Sequence, residues 1–116
     1  MDHSEYLSFD ALGLAELIRT KQITPSELLE VSIELTEKLD PIINAVPIKH
    51  YDLARQHAIN HKDNGLFQGV PFLLKDLNNN LEGTITSGGS RVLNNIKADH
   101  TSELVKRTIN SGLNIF

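Results

Sequence analysis

Cysteine is absent from the 116 residues, which excludes disulfides, thiolate metal sites and a cysteine nucleophile within this stretch and fits a reducing compartment. Long apolar runs are also missing. The uninterrupted ones reach only a few residues, far short of a membrane span. Met1-Asp2-His3-Ser4-Glu5 is acidic and polar where a secretory leader carries a basic region followed by an apolar one. No Asn-x-Ser/Thr acceptor occurs, and the cytoplasm is the default compartment. The eleven Lys and Arg residues form no basic stripe, and the formal charge of −4 gives nucleic acid no footing.

What is present is ordinary for a folded domain: 40% hydrophobic and 22% charged residues, unlike a disordered tail. The first helix is expected to open near Ser8, with Asp10 in its first turn and Ala11, Leu14, Ala15 and Ile18 on one face. Thr24-Pro25-Ser26-Glu27 is a sharper helix start. Thr24 caps, Pro25 occupies a position that needs no N–H, and Glu27 reaches back as the capping-box partner. Leu28, Val31, Leu35 and Leu39 form the apolar face of that helix, and Asp40-Pro41 is expected to end it.

Ile42 to Ile48, broken by Pro47, reads as an edge strand. Tyr51 to about Lys62 reads as a third helix with Leu53, Ala54 and Ala58 inward, ended by Asn64-Gly65. Val70-Pro71-Phe72-Leu73-Leu74 is a continuous apolar run, the pattern of a strand covered on both faces. Residues 78–90 read as loop, 99–110 as a helix with Leu104, Val105, Thr108 and Ile109 on one face, and Gly112 as its stop. Leu113 to Phe116 begins another strand. Strands alternating with helices make this an α/β chain. Its last residues lie within a nascent strand, as expected of a segment from a larger domain.

Gly69-Val70-Pro71-Phe72-Leu73-Leu74-Lys75-Asp76 is the most informative string. A lysine leaving an apolar strand sits where water is scarce, and desolvation is how an ammonium becomes a neutral general base. The plainer reading is a strand ending in a charge as it reaches the surface. Asp76 reads as a structural partner for a backbone amide or turn. Two further patterns carry less. His57 and His61 share a helix face at the spacing of zinc pairs, but Ala58 stands where a His-Glu-x-x-His motif needs glutamate and no third ligand is evident. Thr86-Ser87-Gly88-Gly89-Ser90 has the glycines of a phosphate cradle without the Gly-Lys-Ser/Thr ending, which favours a turn.

Taken in order, the Gly-x-Pro-x-x-x-Lys-Asp string, Gly83-Thr84, Thr86-Ser87-Gly88-Gly89-Ser90, Asp99-His100-Thr101-Ser102-Glu103-Leu104-Val105 and Gly112 to Phe116 resemble the amidase signature family. Thr24-Pro25-Ser26-Glu27-Leu28 and Asp40-Pro41-Ile42-Ile43-Asn44-Ala45 extend the likeness back to about Ala11. The resemblance implies a fold of N-terminal helices plus the first strands of the family's mixed sheet, incomplete in this chain. Residues 1–116 would be the N-terminal segment of an amidase-signature domain, ending before the nucleophile.

The resemblance further implies hydrolysis of carboxylic amides by a Ser–cis-Ser–Lys triad. Only the lysine carries over, onto Lys75, and no cofactor or metal is implied. In such a triad the lysine takes a proton from the bridging serine, which relays from the nucleophile, and an acyl-enzyme forms and is hydrolysed. Both serine segments belong after Phe116, since Gly88-Gly89-Ser90 follows the lysine too soon to be the nucleophile segment. The implied partner is a small-molecule amide, with no direct nucleic-acid or membrane contact, and an exposed strand edge would favour homo-oligomers. Phe72-Leu73-Leu74 before Lys75 favours a stand-alone amidase acting on linear or cyclic amides of aminoalkanoic acids. The glutaminase subunit of a tRNA-dependent amidotransferase shares the signature, and a non-catalytic interaction module is a third reading. The 116-residue chain by itself is expected to be inactive.

Overall fold

The computed structural model describes residues 1–61 and 65–116. Among these residues, five helices and two short strands run in the order α1 (His3–Leu7), α2 (Ala11–Arg19), α3 (Pro25–Ile43), α4 (Tyr51–Ile59), β1 (Pro71–Phe72), α5 (Glu103–Asn110) and β2 (Asn114–Ile115). The strands pair in parallel, Pro71 opposite Asn114 and Phe72 opposite Ile115. The result is a mixed assembly of helices on a small parallel sheet. The long β1–β2 connection carries α5, as parallel pairing requires a crossover.

The helix starts follow local chemistry. Asp10, not Ser8, caps α2: its carboxylate accepts the Gly13 N–H at 2.8 Å, while Ser8 closes the separate turn α1. The capping box at α3 is complete, with Glu27 N–H donating to Thr24 Oγ1 at 3.2 Å and Thr24 N–H donating to Glu27 Oε2 at 2.9 Å. The helix does not stop at Asp40-Pro41. It continues through Pro41 to Ile43 and ends on Asn44 in the left-handed conformation. Asp40 explains the extension. Its Oδ1 accepts the N–H groups of both Ala45 and Val46 at 2.8 Å, collecting the amides that follow the helix end. Residues 44–50 are therefore a tethered connection and not the expected edge strand.

Three hydrophobic clusters hold the described residues together. α3 stands between two of them because Leu28 and Leu29 point to different neighbours. Leu28 packs with Leu14, Ala15 and Ile18 of α2 and with Val70, and Leu29 and Ile33 pack with Ala54 and Ala58 of α4 and with Phe116. The buried stripe of α3 is thus Leu28, Leu29, Ser32 and Ile33, whereas Leu39 of the expected face is exposed. The alanines of α4 let it approach α3 closely, and the Arg55 guanidinium grips Glu30 of α3 with both carboxylate oxygens at 2.7 and 2.9 Å. The third cluster joins Leu81, Val105 and Ile115. α5 begins at Glu103, with Ser102 as its N-cap residue, and buries only Val105, while Leu104 and Ile109 are exposed. α4 ends at Ile59 with Asn60 as its C-cap, short of the expected Lys62, and Lys62 to Asn64 lie outside the described residues.

Two details tie the C-terminal strand in place. Gly65 adopts φ +79° against the Ser111 backbone, where a Cβ would overlap the Ser111 carbonyl, so only glycine fits. Asn114 is buried and its Nδ2 donates to the Ala54 carbonyl of α4 at 3.0 Å. By contrast β1 is not covered on both faces: Val70 is buried, but Phe72 and Leu73 are 36% and 46% exposed. The accessible surface, 7405 Å², exceeds the roughly 6,300 Å² of a typical folded monomer of this mass. Exposed apolar surface at β1 and along Ile42 and Ile43 contributes to that excess.

Candidate active site

The polypeptide leaves the parallel pair at Phe72 and passes through Leu73 and Leu74 to Lys75 and Asp76. Here it borders a cleft of about 630 Å³. One wall is the segment that follows α3, including Val46 and His50. Thr86, Gly88 and Gly89 of the following turn and Phe116 also line the cleft. The cleft thus opens beyond the carboxyl ends of parallel strands, where open α/β sheets bind ligands.

Lys75 lines this cleft and is exposed. The water-poor surroundings expected of it are not present around this chain, because β1 pairs on one side only and the strand assignment ends three residues before the lysine. Its backbone is held: Asn79 Nδ2 donates to the Lys75 carbonyl at 3.3 Å.

Asp76 is the better-anchored neighbour. Its Oδ1 accepts the Ser87 N–H at 2.6 Å and its Oδ2 accepts the Ser87 hydroxyl. Burial works to raise its pKa, yet the Ser87 hydroxyl and the N–H groups of Ser87, Gly88 and Gly89 outweigh it and hold the carboxyl below its ordinary range. Ser87 Oγ in turn accepts the Gly89 N–H at 3.2 Å. Of the amides that suggested a phosphate cradle, that of Ser87 is therefore committed to an internal carboxylate and that of Gly89 to the Ser87 hydroxyl. A folded-state value below the unfolded one means stability that is full above about pH 4 and is lost as pH falls through the lower value. Exchange protection of the Ser87–Gly89 amides is accordingly expected to stay level from pH 7 to 5 and to collapse below about pH 4. Protection that persisted at pH 2 would show that the carboxylate is not what holds the turn.

The other singled-out residues lie elsewhere. His57 is exposed on α4, and His61 follows the helix end and lines a separate hollow near Gly69 and Leu113. Among the described residues no three His, Cys, Asp or Glu side chains come together as a metal-holding group. Sequence reasoning passed over His50. It is half-buried in the cleft wall, its backbone N–H donates to the Phe116 carbonyl at 3.1 Å, and burial pushes its imidazole below the ordinary histidine range. Nothing local distinguishes it, since its position depends on a carbonyl from the far end of the chain.

Residues 27–116, which include Lys75 and the residues that line the cleft, match the amidase family model. The chain belongs to the amidase family. It is 36% identical over 110 residues to a lipoamidase of Enterococcus faecalis, covering 94% of this chain and 15% of that enzyme. It is 37% identical over 100 residues to the 6-aminohexanoate-cyclic-dimer hydrolase of Pseudomonas sp. (strain NK87), covering 84% of this chain and 20% of that one. The solved 6-aminohexanoate cyclic dimer hydrolase in complex with substrate superposes with a TM-score of 0.86 at 34% identity, over 93% of this chain and 22% of its own. The chain therefore spans 15–22% of the length of these amidases. No helix among the described residues is long and apolar enough to cross a membrane.

Proposed function

We propose that residues 1–116 are the N-terminal segment of an amidase-signature domain, and that the full-length protein is a cytoplasmic hydrolase of small-molecule carboxylic amides. Lys75 is the general base of a Ser–cis-Ser–Lys triad whose two serines follow Phe116. Lys75 Nζ accepts the proton of the bridging serine, that serine takes the proton of the nucleophile, and the nucleophile's oxygen attacks the amide carbon. The departing nitrogen leaves with a proton, and water then releases the acid from the acyl-enzyme. The observation that carries this reading is the position of Lys75 in a cleft beyond the parallel strands, within the stretch that matches the amidase model. Likeness to a cyclic-dimer hydrolase of 6-aminohexanoate favours linear or cyclic amides of aminoalkanoic acids as the substrate class.

A base without a nucleophile performs no acyl transfer. The 116-residue chain alone is thus expected to release no product from such amides, and the full-length protein is expected to release amine and acid in equal amounts. Both are assayed side by side by chromatography of the products. Turnover by the short chain would put the nucleophile within residues 1–116, and an inert full-length protein across linear, cyclic and aryl amides would sink the assignment.

A further inference from the structure

Two donors of the Thr86–Gly89 turn bond to the carboxylate of Asp76, the Ser87 hydroxyl and the Ser87 N–H, and the Gly88 and Gly89 N–H groups lie close enough to favour its charged form. Gly88 and Gly89 reach this arrangement at φ +57° and +74°, left-handed values that turn successive amides toward one point. Neither glycine is forced by crowding, because a Cβ at Gly88 would only touch Leu77 at 3.7 Å and one at Gly89 would meet nothing within 4 Å. The backbone conformation itself is what they serve. Such a concavity of amides is a general anion receptor, and here the anion is built into the chain eleven residues earlier.

The place of this clamp gives it a consequence beyond local stability. Asp76 directly follows Lys75, and Lys75, Asp76, Thr86, Gly88 and Gly89 all border the same cleft. The turn is otherwise the tip of an excursion closed at its base by the Ile85–Lys97 bridge, with Ala98 N–H donating to the Thr84 carbonyl at 2.8 Å. Among the described residues, the hydrogen bonds that tie this tip to the end of β1 run through Asp76. On the other side of the lysine's peptide, Asn79 secures the Lys75 carbonyl. A long, flexible side chain reaches a defined point only if its Cα is fixed, and errors of about 1 Å in placing a reacting group lower rates by about 100-fold.

We infer that Asp76 is a positioning residue: its carboxylate, clamped by the Ser87–Gly89 turn, fixes the backbone from which Lys75 enters the cleft and sets the width of the cleft at that point. The inference rests on Lys75 being the general base. It assigns the Thr86–Gly89 segment a task distinct from supplying a triad serine.

Hydrogen exchange on the 116-residue chain and kinetics of the full-length protein test it together. Asp76→Ala is expected to raise exchange at the Ser87, Gly88 and Gly89 amides at least about tenfold while α3 and α4 stay protected, and to lower kcat about 10- to 100-fold with KM nearly unchanged. Asp76→Asn keeps the shape and one acceptor and recovers part of both. Ser87→Ala has a smaller effect that nearly vanishes when added to Asp76→Ala, as two members of one network require. Normal kcat in both Asp76 variants overturns the inference. So does a fall in kcat accompanied by deprotection of α3 and α4, which would make Asp76 a brace for the whole fold. The two levels separate through Lys75→Ala. Full turnover by that variant removes the general base and the positioning role together, whereas its inactivity beside normal Asp76 variants removes the positioning role alone.

Discussion

Lys75→Ala is expected to lower amide turnover by the full-length protein about 10³-fold, within the range lost when a positioned general base is removed, and to leave its melting temperature unchanged. The separation of activity from stability follows from the environment. The side chain is exposed at the edge of a cleft, and the contact that ties residue 75 to the fold is its backbone carbonyl, which alanine retains. Lys75→Arg discriminates a base from a mere cation. A guanidinium keeps the charge but does not give up its proton near neutrality, so arginine should be as inactive as alanine. Substantial turnover by the arginine variant would reduce Lys75 to an electrostatic role, and turnover by both would remove it from the mechanism.

Leu29→Ala is the substitution expected to damage the fold most. Leu29 is fully buried and lies where α3 meets Ala54 and Ala58 of α4 and the ring of Phe116. The alanines of α4 facing it have no side chain long enough to fill the void, so much of the cavity should persist. Loss of transfer energy plus the cavity amounts to about 3 kcal/mol for such a site. For a chain of this size that lowers the melting temperature by on the order of 10–20 °C, readable by circular dichroism. Leu39→Ala, at an exposed position of the same helix, is the control and should shift it little. Equal effects at the two positions would mean that α3 does not pack as described.

The features legible in the sequence are those decided within one turn of the chain. Thr24, Pro25 and Glu27 start α3 as their spacing requires, because each partner lies three residues or fewer away. The end of α3 was not legible. Pro41 argues locally for a stop, and the carboxylate of Asp40 overrides it by reaching forward to residues 45 and 46. The apolar run Val70–Leu74 has the composition of a covered strand, but strand length depends on a partner. Only Pro71 and Phe72 find one, in residues 114 and 115. The same division holds in the cleft. Lys75 was marked by its surrounding string, and Asp76 by its neighbour. The bond from Asp76 to Ser87 joins loop residues with no periodicity to connect them, and His50 is placed by Phe116.

The last four residues reach all three hydrophobic clusters: Leu113 packs on the first, Phe116 belongs to the second and Ile115 to the third. They also bond to Val70, Phe72, His50 and, across sixty residues of chain, to Ala54. The consequence concerns the order of folding. Each cluster is finished by a segment synthesised after nearly everything it joins, and closing so long a loop is the slow, entropically opposed step. During translation α2, α3 and α4 emerge as helices with unsealed apolar faces, and consolidation waits on the arrival of Leu113 to Phe116 at the tunnel exit. Residues upstream are held open to chaperones and to mispairing until that short strand docks, which makes Leu113 to Phe116 a timing element as well as a structural one.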